Sequence, residues 1–341
     1  MSSDFKPKRH RFLLSYSAVA LLFLTAFVLA VRLGSVQMSA AEFFGGAFLS
    51  ENFTTESIII YHVRLPRALA AALAGVGLSL SGAVLQLVTG NDLAAPSIIG
   101  INSGAGLGAI IFLSFAPLGL GFGGNALLQI FSFAFAFMTT IIVLFLAERV
   151  GKGKSSVILA GVAVNAVFNA AISFVSLLDT DVLSSYNSFS IGGFAACEYS
   201  QLLIPTAVIF VSLALLLIFH RPINLLSLGY GTAQILGVNV KRVRTGAIII
   251  ASALAAASVS FAGLIGFVGL VAPHIAKRLV GYDFSKCAVM SALVGATVTT
   301  LADLLGRILV PPTEIPVGIM MAAVGAPFFI ILLCKGRRDY L

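Results

Sequence analysis

Apolar runs of about 20 residues, each long enough as a helix to cross some 30 Å of hydrocarbon, recur throughout this chain. They can be drawn at 12–31, 66–88, 98–116, 126–147, 156–178, 201–219, 245–262, 263–280, 287–306 and 315–334. Inside a bilayer every backbone polar group must find its partner within the protein, so runs of this length fold as helices and collect into a bundle. The expectation is an all-α polytopic membrane protein of about ten transmembrane helices, kinked and partly broken. It forms a single transmembrane domain over residues 1–341, with no soluble domain. Composition points the same way: 59% of residues are hydrophobic and 10% charged, against about 25% charged in soluble domains.

Charge sets the orientation. Lys and Arg number 21 against 13 Asp and Glu, a net charge of +8, which raises the question of nucleic acid. The cations sit in short runs between apolar segments, the pattern of a topology signal, so no nucleic-acid partner is expected. With the amino terminus inside and spans alternating, all the cations except Arg32, Arg64, Arg67 and Arg307 fall on the inner side. Both termini are then cytoplasmic. KPKRHR followed by about twenty apolar residues, with no A-x-A pattern, reads as a retained first span. Two long outer segments, 34–63 and 179–200, have room for a short surface helix each, and the long inner segment is 220–244.

Enzymatic chemistry finds no foothold. HExxH, GxSxG and a phosphate loop are all missing, and His10, His62, His220 and His274 lie far apart. Cys197, Cys287 and Cys334 have no CxxC spacing, so they read as structural thiols, and no metal site, cofactor or catalytic residue is expected. If ATP drives the protein, another subunit binds it. Gly104, Gly106 and Ala109 match the letters of a dinucleotide fingerprint but lack a preceding strand. Gly100, Gly104 and Gly108 instead form a small-residue face for close helix packing.

Several polar or broken stretches stand out. Within Phe261 to Arg278, Gly263, Gly266, Gly269 and Pro273 interrupt an apolar run that ends on His274, Lys277 and Arg278. Glycine costs about 1 and proline about 3 kcal/mol in a helix interior, so this stretch belongs inside a bundle. Gln86, Asn102 and Asn165 either line a water-filled translocation path or bond between helices. Arg64 and Arg67 flank Pro66 at a predicted helix start, where the dipole disfavours cations, so they need an anion or lipid phosphate; Arg307 has Asp303 four residues earlier. Segment 220–244 should break into short helices around Gly229 and Gly231. It leaves Leu225, Leu226, Leu228, Ile235 and Leu236 as an apolar patch that either a partner or the bilayer covers. The ERVGKGKSS connection ends on Ser155 and Ser156, small residues able to pack tightly or move aside.

GLIGFVGLVAPHIAKRLVG at 263–281, ADLLGR at 302–307 and EIPVGIMMAAVGAPFFIILL at 314–333, with RLPR at 64–67 and SGAVLQ at 81–86, closely resemble the FecCD-type permeases of ABC importers for iron-siderophores, haem or vitamin B12. The resemblance covers nearly the whole chain and implies a permease that moves an iron-siderophore complex inward. It also implies a second permease subunit (identical or paralogous), cytoplasmic ATP-binding subunits and an external substrate-binding protein. Carried over residue by residue, it implies that Arg64, Arg67 and Arg307 dock the binding protein. Ala233, Leu236, Gly237, Val238 and Arg242 lie in the loop that couples to the ATPase, and Ser155 and Ser156 at an inner gate. The chain departs from the family pattern at Asn91-Asp92-Leu93-Ala94, where NPLA is usual, and in having no tryptophan. A haem or cobalamin permease of the same fold is the alternative substrate reading. An ATP-independent carrier belongs to a different class, and it would need ionisable groups at mid-membrane that these spans lack.

Overall fold

The computed structural model describes residues 6–34, 36, 38–39, 42–43, 45–46, 54–115, 124–151 and 155–336, and every regular element among them is helical. In order these are α1 (Lys6–Arg32), α2 (Thr55–Ile58), α3 (Leu65–Thr89), α4 (Ile101–Phe115), α5 (Gly124–Val150), α6 (Ser156–Leu178) and α7 (Thr180–Ile191). They continue with α8 (Tyr199–Ile218), α9 (His220–Leu226), α10 (Tyr230–Ile235), α11 (Val240–Ala262), α12 (Val268–Val280), α13 (Phe284–Ile308) and α14 (Val317–Gly336).

Among the described residues seven helices are long and apolar enough to cross a membrane: Phe12–Arg32, Thr55–Thr89, Asn125–Val150, Ser156–Leu178, Tyr199–Ile218, Val240–Ala262 and Phe284–Ile308. Two of the other three predicted spans are shorter. Helix α4 has 15 residues and α12 has 13, which at 1.5 Å per residue reach only about 22 and 20 Å. The third, α14, has 20 residues, about 30 Å, enough to cross. Backbone breaks explain the first two: Gly90 and Gly100 take positive φ ahead of α4, and Gly263 and Phe267 do so ahead of α12.

Helix α3 is the axis. It packs most extensively on α13 and α11, and also on α12, and nearly all of its small side chains are buried. The close approach depends on glycine: a Cβ at Gly75 would overlap the Gly295 backbone and Thr299, and one at Gly82 the Gly269 backbone. The expected small-residue face of α4 behaves likewise, with Gly104 and Gly108 pressed on Phe131, Phe135 and Thr139 of α5.

The predicted helix start at Pro66 needs correction. The helical course begins at Thr55, where Thr54 Oγ1 accepts from Ser57 N at 3.3 Å, and runs through a π-helical turn, Ile59–Arg64, into α3. A turn of this kind just before Pro66 absorbs the donor that proline lacks. Arg64 and Arg67 therefore do not face a free helix end. In the 179–200 segment α7 forms a short helix capped by Asp179, whose Oδ1 accepts from Asp181 N at 2.9 Å and Val182 N at 3.2 Å. Segment 220–244 divides into α9 and α10 at Gly229, whose φ is +98°.

Candidate functional site

The two ends of α3 carry the polar groups. Near its start Arg64, Arg67 and Arg307 come together and are only 3%, 7% and 2% exposed. The Arg67 guanidinium meets two carboxylates: Nε donates to Asp303 Oδ1 at 3.0 Å and Oδ2 at 3.2 Å, and Nη1 to Glu314 Oε2 at 2.6 Å. Arg307 Nη2 lies 3.1 Å from Asp303 Oδ2, the expected i,i+4 pair, and Nη1 donates to Leu33 O at 3.3 Å. Arg64 reaches the carboxy-terminal end of α1, donating to the carbonyls of Val31 at 3.4 Å, of Arg32 and of Val36. Those carbonyls have no helical partner, and the negative end of the α1 dipole favours a cation. Each arginine thus finds its partner inside the chain.

At the other end of α3, Gln86 is buried against α12. Pro273 has no N–H for the Gly269 carbonyl one turn back, and Gln86 Nε2 donates to that carbonyl and to Leu270 O, both at 3.4 Å. Lys277 Nζ then donates to Gln86 Oε1 at 2.8 Å and to Asp92 Oδ1 at 2.6 Å. The chain Asp92–Lys277–Gln86–Gly269 ties the loop after α3 to the kinked helix. Gln86 therefore bonds between helices, one of the two roles open to it from sequence.

The other polar candidates divide. Asn165 Nδ2 donates to Ser97 O at 3.0 Å and Ile98 O at 3.4 Å, holding α6 to the irregular turn before α4. Asn102 Oδ1 is buried with no hydrogen-bond partner among the described residues. Ser155 is exposed and Ser156 buried at the start of α6; residues 152–154 of that connection, including Lys152 and Lys154, lie outside the described residues.

Segment 220–244 has two faces. Ile223, Leu226, Ala233 and Val240 are buried in the main core cluster, with Leu225 packed against it. Leu228, Ile235 and Leu236 point the other way, 59%, 87% and 55% exposed. Gly237 and Arg242 are exposed beside them. Four contacts fix this unit to the bundle: Tyr230 Oη donates to Val88 O, Lys241 Nζ pairs with Glu148 at 2.9 Å, Asn224 Nδ2 donates to Asp283 Oδ2 at 3.4 Å, and Asn224 Oδ1 accepts from Phe284 N at 3.1 Å. Asp283 also caps α13. A hydrogen bond from Ser285, and then the Lys286 backbone N–H and charge, hold its carboxyl below the ordinary range against the opposing effect of burial.

The model of the FecCD transport family matches residues 21–335. The chain belongs to the FecCD transport family. Its relatives include the iron(3+)-hydroxamate import system permease protein FhuG of Bacillus subtilis, 32% identical over 97% of this chain and 100% of that protein. The Fe(3+)-citrate import system permease protein YfmE of the same organism is 36% identical over 96% of both chains. The hemin transport system permease protein HmuU of Yersinia pestis is 33% identical over 93% of this chain and 96% of its own. Among solved structures, an inward-facing conformation of a metal-chelate type ABC transporter superposes with a TM-score of 0.82 at 32% identity, covering 93% of this chain and 98% of that one.

Within this FecCD permease, sequence reasoning passed over Glu314, Asp92 as an ion-pair partner, and the Asn224–Asp283 and Glu148–Lys241 ties. Their partners lie far off in the chain: 247 positions separate Arg67 from Glu314, and 185 separate Lys277 from Asp92. The one available signal was Asp92 itself, a carboxylate where the family pattern has proline.

Proposed function

We propose that this chain is the membrane permease subunit of an ATP-binding-cassette importer and carries a ferric siderophore or a similar metal chelate inward. The observation that carries this reading is membership of the FecCD family over the whole length of relatives named for ferric hydroxamate, ferric citrate and haemin import. Two permease subunits enclose the path, cytoplasmic ATP-binding subunits drive it, and an external binding protein delivers the ligand. Both termini face the cytoplasm, so the Lys277 end of α3 is inner and the Arg67 end outer.

In this reading Leu228, Ile235 and Leu236 form the apolar knob that docks the ATPase, with Gly237 shaping it and Arg242 at its rim. Leu225, Leu226 and Ala233 hold it to the bundle. Removing such a cluster from water supplies about 25 cal/mol per Å² of apolar area before association costs. Ser155 and Ser156 act at the inner constriction, and Asn102 and Asn165 line the path. At the outer end, three guanidiniums against Asp303 and Glu314 leave one positive charge in excess, which suits an acidic partner. A carboxylate of the binding protein docks by taking the place of Glu314, the more exposed of the two acids, on Arg67.

The test is copurification. Leu228→Asp with Leu236→Asp places charges on exposed positions, so the permease stays folded in the membrane and loses its ATPase subunits. Full retention of the ATPase by that variant overturns the docking assignment.

A further inference from the structure

A cavity of about 610 Å³ opens sideways between α5 and α8. Both helices pack along α11 and touch each other little, so α11 floors the gap. Its rims are membrane-span surfaces: Ile130 is 53% and Ile204 72% exposed. Phe133, Val208 and Ala257 supply an apolar wall. One end of the cleft has a different character. Asn125, Gln129, Glu198 and Gln201 gather there, at the same end of the bundle as Arg67.

These polar groups lack partners. The side-chain amides of Asn125, Gln129 and Gln201 hydrogen-bond to no other group among the described residues, and no cation among them pairs with Glu198. Glu198 accepts only a long bond, 3.4 Å, from Ser200 Oγ. Asn125 and Glu198 are exposed and Gln129 and Gln201 half-buried, so the amides and the carboxylate are open to a headgroup at the edge of hydrocarbon. Asn125, Gln129, Gln201 and Ser260 also line a second cavity of about 140 Å³ that continues inward to Phe189, Gly193 and Phe261. There the helices break, and Gly193 N donates to Ala262 O at 2.9 Å and Leu264 N to Phe189 O at 3.2 Å.

We propose that the α5–α8 cleft binds one amine-bearing phospholipid of the adjoining leaflet. Its acyl chain lies along Ile130, Phe133, Ile204 and Val208, its ammonium donates to Glu198, and its phosphate and ester oxygens accept from the three amides. An aminophospholipid fits where a purely anionic lipid does not, because the only charge in the cleft is a carboxylate. A lipid seated there also fills the approach to the Gly193–Ala262 junction and braces the helix break behind it.

The experiment uses the full-length chain in nanodiscs containing phosphatidylethanolamine with a diazirine at the end of one acyl chain. After illumination, labelled peptides are mapped by mass spectrometry. Labelling is expected to concentrate on 126–134 and 204–208, above the level on the exposed apolar surface of α1 at 13–24. Unlabelled phosphatidylethanolamine should compete it away, and phosphatidylcholine, whose quaternary nitrogen has no N–H, should compete poorly. Glu198→Gln should reduce the preference for phosphatidylethanolamine roughly tenfold, the weight of one charge-assisted hydrogen bond, while labelling on α1 stays unchanged. Ala134→Trp, which fills the cleft, should remove the signal. Equal labelling of the cleft and the α1 surface overturns the proposal. So does competition that ignores the headgroup, or a cleft that water-borne radical probes modify freely in the lipid-filled disc.

Discussion

Gln86 sits opposite the one carbonyl in α12 that Pro273 deprives of its helical donor, and its amide nitrogen lies 3.4 Å from that oxygen on Gly269. A kink in a packed membrane helix needs such a donor from a neighbour. Here the donor's own oxygen is gripped by Lys277 at 2.8 Å. Loss of the buried amide and loss of the exposed Asp92 carboxylate should therefore differ in cost.

Gln86→Leu leaves the Gly269 carbonyl unpaired and should destabilise the chain by about 1–3 kcal/mol. Asp92→Ala removes an exposed carboxylate, leaves the Lys277–Gln86 bond in place and should cost under about 1 kcal/mol. Thermal unfolding of the detergent-solubilised full chain orders the two. An Asp92 variant as unstable as the glutamine variant contradicts this account of the contact.

At the other end of α3, Arg67→Ala strips the buried Asp303 of its hydrogen-bonded partner. The expected cost is about 3–5 kcal/mol, read as a sharp drop in the yield of folded protein. Reversing Arg64 and Arg67 to glutamate therefore disrupts the bundle before it tests docking. Glu314→Gln is the cleaner probe. It should weaken the fold much less and tighten binding-protein affinity, because the incoming carboxylate no longer competes for Arg67, and the gain should shrink as salt rises. Unchanged affinity in a well-folded Glu314→Gln permease contradicts docking through this cluster.

Asp283 gives a pH signature. Its folded-state pKa lies below the ordinary value of 3.8, so it contributes stability that is complete above that value and is lost as pH falls through the folded pKa. Wild type and Asp283→Asn should differ by a constant amount above about pH 5 and converge below the usual aspartate range. The comparison is a pH series of thermal unfolding; a gap that persists undiminished into acid contradicts the cap's role.

Much of the architecture was readable from hydropathy. The ten apolar runs all became helices, because a segment with no water to bond has few alternatives. Where sequence reading failed, it failed over length and partner. α4 and α12 are too short to cross alone, since Gly100, Gly263 and Phe267 interrupt them, and periodicity does not say where an apolar run bends. The Arg64–Arg67 pair read as needing an anion, and for Arg67 that was sound. The anion is Asp303 with Glu314, brought in from the far end of the chain. Arg64 instead caps α1, a contact set by the packing of α1 near the start of α3. In 220–244 the leucines were visible as apolar, yet only the fold separates Leu226, which is core, from Leu228, which is bare.

ATP-driven uptake tests the central claim most directly. Vesicles carrying this permease with its cytoplasmic ATP-binding subunits, and supplied outside with the binding protein loaded with a ferric hydroxamate or ferric citrate, should accumulate the chelate only when ATP is enclosed. The Leu228→Asp, Leu236→Asp variant should abolish that accumulation while the protein remains inserted. Accumulation that proceeds without ATP, or undiminished in that variant, contradicts the account.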